Sequence, residues 1–468
     1  MKAYGWFIMA SLLVPVASIS FCQESLFNME QIRDESTLDV QVIQSWHVVE
    51  GEVPTKQQLV SINVGELWAG QNFRIPVRMI VPVHAKATGF HLTGGHQSTG
   101  LEKETRLRPF EKELIKGGVG LVYTLVQAPS QIGMKELGEK MQNRFIETLN
   151  PHYSIQYWGW PAIIMRAATA AYAERDYFEK GKVAVSGASK NGASPAVALI
   201  CDDRITALHS TVAPIWDSPL RLCDRDAWAE LEKDEKNSHY FLGGTFGPVY
   251  NADALRAGHS WEDLEELAAR MADQVFISRN LEQLERQNVD LLFHPGTHDF
   301  VAFDVPWGGA HFPGIPLYLE ANTGHGKNNG LPVGEKPQQN LPAFLLGHFF
   351  THADPLLESP ELEYKIDGSI LEVVVRFKPG SNEESGRFFW MYDRAPEGTV
   401  AYLDELFPED QWKEMTFDET DGSWSARIEL PGNATTIDFF STHGKVVSRQ
   451  GEMYQTYLSS PYTRLSLE

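Results

Sequence analysis

Lys182-Val183-Ala184-Val185-Ser186-Gly187-Ala188-Ser189-Lys190-Asn191-Gly192 is the stretch on which the fold turns. Val183, Ala184 and Val185 suit a buried parallel strand, and the small apolar run Ala193 to Ile200 suits a buried helix. Between them the chain must turn sharply. Glycine at 187 and 192 permits that turn without Cβ clashes, so Ser189 is expected at its tip, its oxygen at the carboxyl edge of a sheet. The N–H groups that open the helix would then face any oxyanion formed there. The pattern is Gly-x-Ser-x-x-Gly, with Asn191 where the commoner motif has its second glycine, so the local signal also fits a plain glycine-serine turn.

A nucleophilic serine on such a turn needs a carboxylate and then a histidine later in the chain, each on a loop leaving a strand end. Val289 to His294 reads as a short buried strand, and Pro295-Gly296-Thr297-His298-Asp299 as a loop ending in a carboxylate. Ile315 to Leu319 reads as the next strand, and Glu320-Ala321-Asn322-Thr323-Gly324-His325-Gly326 as a loop with a histidine between glycines. Ser189, Asp299 and His325 therefore stand in the order of an α/β-hydrolase triad. Asp217, after the strand that follows the elbow helix, is a second candidate acid; Asp304 and Glu320 follow strand ends less directly. His294, His298 and Asp299 also invite a metal reading. A His-x-x-x-His pair needs a helix to share one face, and Pro295-Gly296 breaks any helix there, so no metal site is expected.

The oxyanion hole is expected to draw one donor from Lys190 and one from Gly95, in the loop Gly94-Gly95-His96-Gln97 after the strand Gly89 to Thr93. Gln58 to Val64 and Phe73 to Val83 read as a leading antiparallel hairpin, and Gly118 to Leu125 as a further buried strand. These elements give an α/β class with an α/β-hydrolase core.

With those residues in view, the chain resembles the PhoPQ-activated pathogenicity-related family, a group of secreted α/β-hydrolase-like proteins. The resemblance spans residues 40–450. It rests on Leu125-Val126-Gln127-Ala128-Pro129-Ser130-Gln131, on Trp160-Pro161 through Met165-Arg166-Ala167-Ala168, and on Ser186-Gly187-Ala188-Ser189-Lys190. It continues in Asp203-Arg204-Ile205-Thr206-Ala207, Ala213-Pro214-Ile215 and Asp299-Phe300. The family's elbow continues Lys-Arg-Gly-Trp, whereas this chain reads Lys190-Asn191-Gly192-Ala193. The elbow is also similar, locally, to that of glucuronoyl esterases, Gly-x-Ser-Arg-x-Gly, with a basic residue after the serine; this resemblance implies an ester substrate.

Met1-Lys2 and the apolar run to Ile19 read as a secretory signal peptide over residues 1–22, implying a secreted or periplasmic protein. Pro15 and the shortness of the run argue against a membrane span, and Phe21 before Cys22 is a poor residue for lipoprotein acylation. Cys201 and Cys223 remain, either as a disulfide that an exported protein permits or as two buried thiols. At 468 residues the chain holds a large core and a second domain, and its net charge of −22 argues against a nucleic-acid partner.

The hydrolase core is placed at residues 45–352 after a polar, extended lead-in from Glu24 to Gln44. An insertion at 218–288 is expected to form a helical lid: Trp228, Tyr240, Phe241, Phe246 and Tyr250 alternate with charge, and Leu264, Leu267, Ala268 and Met271 share one helical face. Beyond the linker at Asp354-Pro355 and Ser359-Pro360, residues 360–450 read as an antiparallel β-sandwich with a structural role. Its strands include Leu371 to Phe377, Arg387 to Tyr392, Trp424 to Leu430 and Thr436 to Phe440. The chain is thus expected to be a secreted serine hydrolase. It would cleave an ester of a small molecule, carbohydrate or peptide, with an amide as the second choice, and without a cofactor. The competing expectation is a secreted binding or signalling protein on the same scaffold without turnover.

Overall fold

The computed structural model describes residues 25–96, 98–126, 135–233, 251–325, 327–328, 336–352 and 354–467. The expected signal segment lies outside the described residues, as do Gln97, Tyr240, Phe241, Phe246 and Tyr250. Eight strands form the central sheet: β1 (Gln41–Val49), β2 (Thr55–Trp68), β3 (Gln71–Pro82), β4 (Ala87–Thr93), β5 (Gly120–Thr124), β6 (Phe178–Ala188), β7 (Ala207–Thr211) and β8 (Asp290–His294). Their order is β1-β2-β3-β5-β4-β6-β7-β8. β1, β2, β3 and β5 pair antiparallel, whereas β5, β4, β6, β7 and β8 run parallel. The parallel strands are short apolar runs buried on both faces, as covering helices require: all of β5 is buried, and so are Val183, Ala184 and Val185 in β6. Because they are parallel, β4, β6, β7 and β8 all end at one edge.

Six helices matter to the argument: α1 (Pro109–Lys116), α2 (Trp160–Ala173), α3 (Lys190–Cys201), α4 (Trp261–Val275), α5 (Val305–His311) and α6 (Asn340–Phe349). α2 packs on α3 and several strands, while α6 packs on α1, β6 and β7. α4 buries Leu264, Leu267, Ala268 and Met271 and rests on α3, so this part of the insertion is packed into the body beside the elbow helix. Trp228 is buried with Leu231 and Phe303 in a small satellite cluster. Cys201 and Cys223 form no disulfide, and burial pushes the Cys201 thiol up to about 12.

Three expectations are corrected. The lead-in is not extended: Met29–Arg33 is a short helix, Leu26, Phe27, Ile32 and Leu38 are buried, and β1 begins at Gln41, ahead of the expected core boundary at 45. Arg166 is one of the side chains that fix this segment, with Thr169, Gln274 and Asp202. It sits in α2, a helix buried nearly all round, and its guanidinium reaches the backbone carbonyls of Gln31, Ile32, Asp34 and Asn63 within 3.2 Å. The strand expected at Ile315 to Leu319 is reduced to a single bridge between Leu317 and Phe293. Pro316 has no N–H to donate. The Leu317 carbonyl and the Leu319 N–H both go to Ser459, each at 2.8 Å.

The C-terminal region holds two antiparallel sheets. One comprises Glu361–Asp367, Ile370–Arg376, Ser423–Glu429 and Thr416–Asp418. The other comprises Trp412–Glu414, Ser385–Tyr392, Thr436–Arg449, Glu452–Ser459 and Thr463–Ser466. It therefore continues past the expected limit at residue 450. Rings from the two sheets meet, Tyr364 with Phe439 at 5.8 Å and Trp424 with His443 at 5.6 Å.

Removing the Arg166 guanidinium takes a charged donor from four carbonyls, of which Ile32 and Asp34 keep the Thr169 and Thr37 hydroxyls; a hydrogen bond to a charged group contributes about 1.5–3 kcal/mol. Arg166→Met is expected to lower unfolding stability by about 3 kcal/mol or more, read as a fall in the urea midpoint.

Candidate active site

β6 ends at Ala188 and α3 begins at Lys190, which leaves Ser189 alone at the corner with φ +58° and ψ −130°. Such a conformation costs a non-glycine residue on the order of 1–3 kcal/mol and persists only where its surroundings over-determine it. They do so here. The Ser189 N–H donates to the Thr211 carbonyl at 2.9 Å, and its own carbonyl accepts from Gly192 and Ala193 at 2.8 Å. The flanking glycines are required by close approach: a Cβ on Gly187 would lie 1.9 Å from the Asn191 carbonyl oxygen, and one on Gly192 would lie 2.6 Å from Ser210 Oγ. Ser189 itself is half-buried at the carboxyl edge of the sheet.

Asp299 and His325 come together. Asp299 lies on the loop after β8 and is fully buried. Its Oδ1 accepts from the N–H groups of Val301 at 2.6 Å and Ala302 at 3.3 Å, while its Oδ2 lies 2.9 Å from His325 Nδ1. A carboxylate can only accept, so in the neutral ring Nδ1 carries the proton and Nε2 presents a lone pair. The two loops are joined directly: His298 bridges Gly324 in parallel, and its N–H donates to the Thr323 carbonyl at 2.9 Å. A Cβ on Gly324 would meet the His298 carbonyl oxygen at 2.5 Å, so only glycine permits this approach. The Phe300 ring lies 4.5 Å from that of His325, which remains partly exposed.

The loop after β4 runs beside the first turn of α3. Gly94 accepts from the Val126 N–H at 3.0 Å, and a Cβ on Gly95 would come within 3.8 Å of Asn191 Nδ2. His96 stacks on Tyr123 with centroids 4.1 Å apart, and the Tyr123 hydroxyl donates to Glu111 at 2.8 Å. Burial pulls the His96 pKa down to about 4, so this anchor is neutral.

Asp217 is placed elsewhere. Its carboxylate accepts from Ser278 Oγ at 2.6 Å and pairs with Arg279. Asp304 is likewise committed, to Arg221 and Ser218. Burial holds His294 and His298 neutral, each with its pKa pulled down to about 3. Both ring nitrogens of His298 meet protein partners, Nε2 the Glu405 carbonyl at 2.6 Å and Nδ1 the Thr297 hydroxyl at 3.0 Å. Among the described residues no three His, Cys, Asp or Glu side chains gather as a metal site.

Sequence reasoning passed over Arg394, weighed His298 only as a metal ligand and quoted Asn322 only as part of the histidine loop; each has a backbone partner in a distant segment. The one available signal is Asn322 itself, a residue type that accepts positive φ, here +66°.

No protein-family model matches this chain, and no curated protein does. Among solved structures it is similar to acetyl xylan esterase 1 from a Thermoanaerobacterium species, with 11% identity, 68% of this chain and 90% of that chain covered, and a TM-score of 0.35. It is also similar to a glucuronoyl esterase from Solibacter usitatus, with 15% identity over 59% of this chain and 72% of that one and a TM-score of 0.31. The values for an S-formylglutathione hydrolase from Agrobacterium tumefaciens are 11%, 61%, 90% and 0.32. At TM-scores this low, likeness decides nothing about function, which rests on the geometry of the site.

Gly187→Ala forces a Cβ into the Asn191 carbonyl and is expected to destabilise the protein by about 2–3 kcal/mol. Gly314, where a Cβ meets open space, is the control, and Gly314→Ala should stay within about 0.5 kcal/mol of the parent in the same thermal-unfolding experiment.

Proposed function

We propose that this chain is a secreted α/β-hydrolase that cleaves an ester through Ser189, His325 and Asp299. The observation that carries the reading is the 2.9 Å contact of His325 Nδ1 with buried Asp299, on loops at the same sheet edge as the strained Ser189 corner. Ser189 Oγ attacks the ester carbonyl carbon while His325 Nε2 takes its proton. Backbone N–H groups of Lys190 and Gly95 receive the oxyanion, each worth about 3 kcal/mol of transition-state stabilisation. The tetrahedral intermediate collapses, the carbon–oxygen bond to the alcohol breaks, and His325 returns the proton to that leaving oxygen. Water, deprotonated by the same nitrogen, then cleaves the acyl-enzyme and restores Ser189. Asp299 holds the ring in the required tautomer and stabilises the imidazolium. Neither metal nor cofactor enters any step.

The elbow Ser186 to Lys190 supports placing the chain near the PhoPQ-activated pathogenicity-related family. We assign the insertion at 218–288, of which residues 218–233 and 251–288 are described, as the lid, anchored by α4 on α3, and the two C-terminal sheets as a β-sandwich. The substrate is an ester of a small molecule, a carbohydrate or a peptide.

Labelling of the mature protein with a fluorophosphonate, followed by mass spectrometry, is expected to modify Ser189, and Ser189→Ala or His325→Ala to abolish it. Asp299→Asn should lower turnover of p-nitrophenyl acetate by about 10³–10⁴-fold, whereas Asp217→Asn should stay within about threefold. A folded protein that does not label would favour the binding-protein alternative. Equal losses for the two aspartates would move the acid role away from Asp299.

A further inference from the structure

The C-terminal sheets contribute one segment, residues 394–407, that touches both loops of the candidate triad. Arg394 is buried and donates to the Thr297 carbonyl at 2.8 Å, two residues before Asp299. The same nitrogen donates to the Tyr402 carbonyl at 2.8 Å, and the other terminal nitrogen meets the Tyr462 hydroxyl at 2.7 Å. Tyr462 in turn donates to Asp438 at 2.6 Å, so the guanidinium is anchored in the C-terminal sheet. Glu405 offers its carbonyl to His298 Nε2 at 2.6 Å. His298 is neutral, so its single ring proton is spent on this bond.

The histidine loop is held by the same segment. Asn322 Nδ2 donates to the Phe407 carbonyl at 2.8 Å, and Asn322 Oδ1 accepts the Phe407 N–H at 2.7 Å. One side-chain amide thus pairs with one residue's backbone as a neighbouring strand would, three positions before His325. The Thr297 hydroxyl lies 3.0 Å from both His298 Nδ1 and the Glu320 carbonyl, and its single proton is shared between these two acceptors, one on each loop.

We infer that residues 394–407 clamp the Asp299 and His325 loops in register, making Arg394 and Asn322 positioning residues and the C-terminal sheets part of the site's scaffold. Neither residue touches the reacting atoms. The need for such a clamp is physical: both loops leave the sheet where regular pairing has ended, since Ile315 to Leu319 supplies only one bridge. A displacement of about 1 Å in such a constellation costs on the order of 10²-fold in rate. The assignment rests on the triad reading for its effect on rate, but not for its effect on the loops.

The test uses the full mature chain and Asn322→Gly, which keeps the positive φ and removes both bonds to Phe407. Two readouts are compared with the parent at equal unfolding temperature: the rate constant for fluorophosphonate labelling of Ser189, and amide hydrogen exchange. Labelling is expected to slow by about tenfold or more, with faster exchange confined to residues 296–300 and 322–325. Asn322→Asp, which keeps the acceptor for the Phe407 N–H, should fall between the two. Arg394→Lys, which keeps the charge and loses the fork, serves as a second variant should Asn322→Gly fail to fold. Unchanged labelling and unchanged exchange would overturn the clamp while leaving the hydrolase reading intact. A parent that never labels, with exchange that still rises in both loops of the variant, would overturn the hydrolase reading and keep the clamp.

Discussion

The backbone at Ser189 is the constraint on which the rest of the molecule depends. A serine at φ +58° does not hold itself there; it is held because β6 and β7 are parallel neighbours and Thr211 accepts its N–H. That neighbourhood exists only if the strands are short, apolar and covered, and the sequence makes them so at Val183 to Val185 and Ala207 to Leu208. The glycines at 187 and 192 are a consequence of the same corner. Strand and helix cross so closely that any side chain would collide with backbone.

Around this corner, charge is rationed. Asp299 is fully buried, and its oxygens are satisfied by two backbone N–H groups and one imidazole. The histidines His91, His209, His294 and His298 are kept neutral by burial. His325, by contrast, is partly exposed and faces a carboxylate.

Much of this was legible from residue order. Val183 to Ile200 announced strand, corner and helix because each side of the corner has its own apolar signature. The loops of Asp299 and His325 announced themselves through glycine and proline at strand ends. β1 was not legible: QVIQSWHVV lies mostly exposed, so burial imposes little pattern on it. Ile315 to Leu319 has the composition of a strand and does meet Phe293 through the Pro316 carbonyl and the Tyr318 N–H, but Leu317 and Leu319 turn to Ser459, so the pairing stops at one bridge. The clamp from Arg394 to Phe407 could not be read at all. Its acceptors are mostly main-chain carbonyls, which carry no trace of their role in side-chain identity, and its partners lie up to 107 positions away.

The clasp of Ile315 to Leu319 also bears on how the molecule is made. A nascent chain emerges from its amino end, and domains ordinarily settle in that order. Here Leu319 waits for Ser459, 140 positions later, before its N–H is satisfied. The segment Ile315 to Leu319 and the strand Glu452–Ser459 are therefore expected to order together rather than one after the other. A chain lacking the Ser459 strand would leave this edge of the sheet with unpaired backbone groups, the kind of edge on which other chains add.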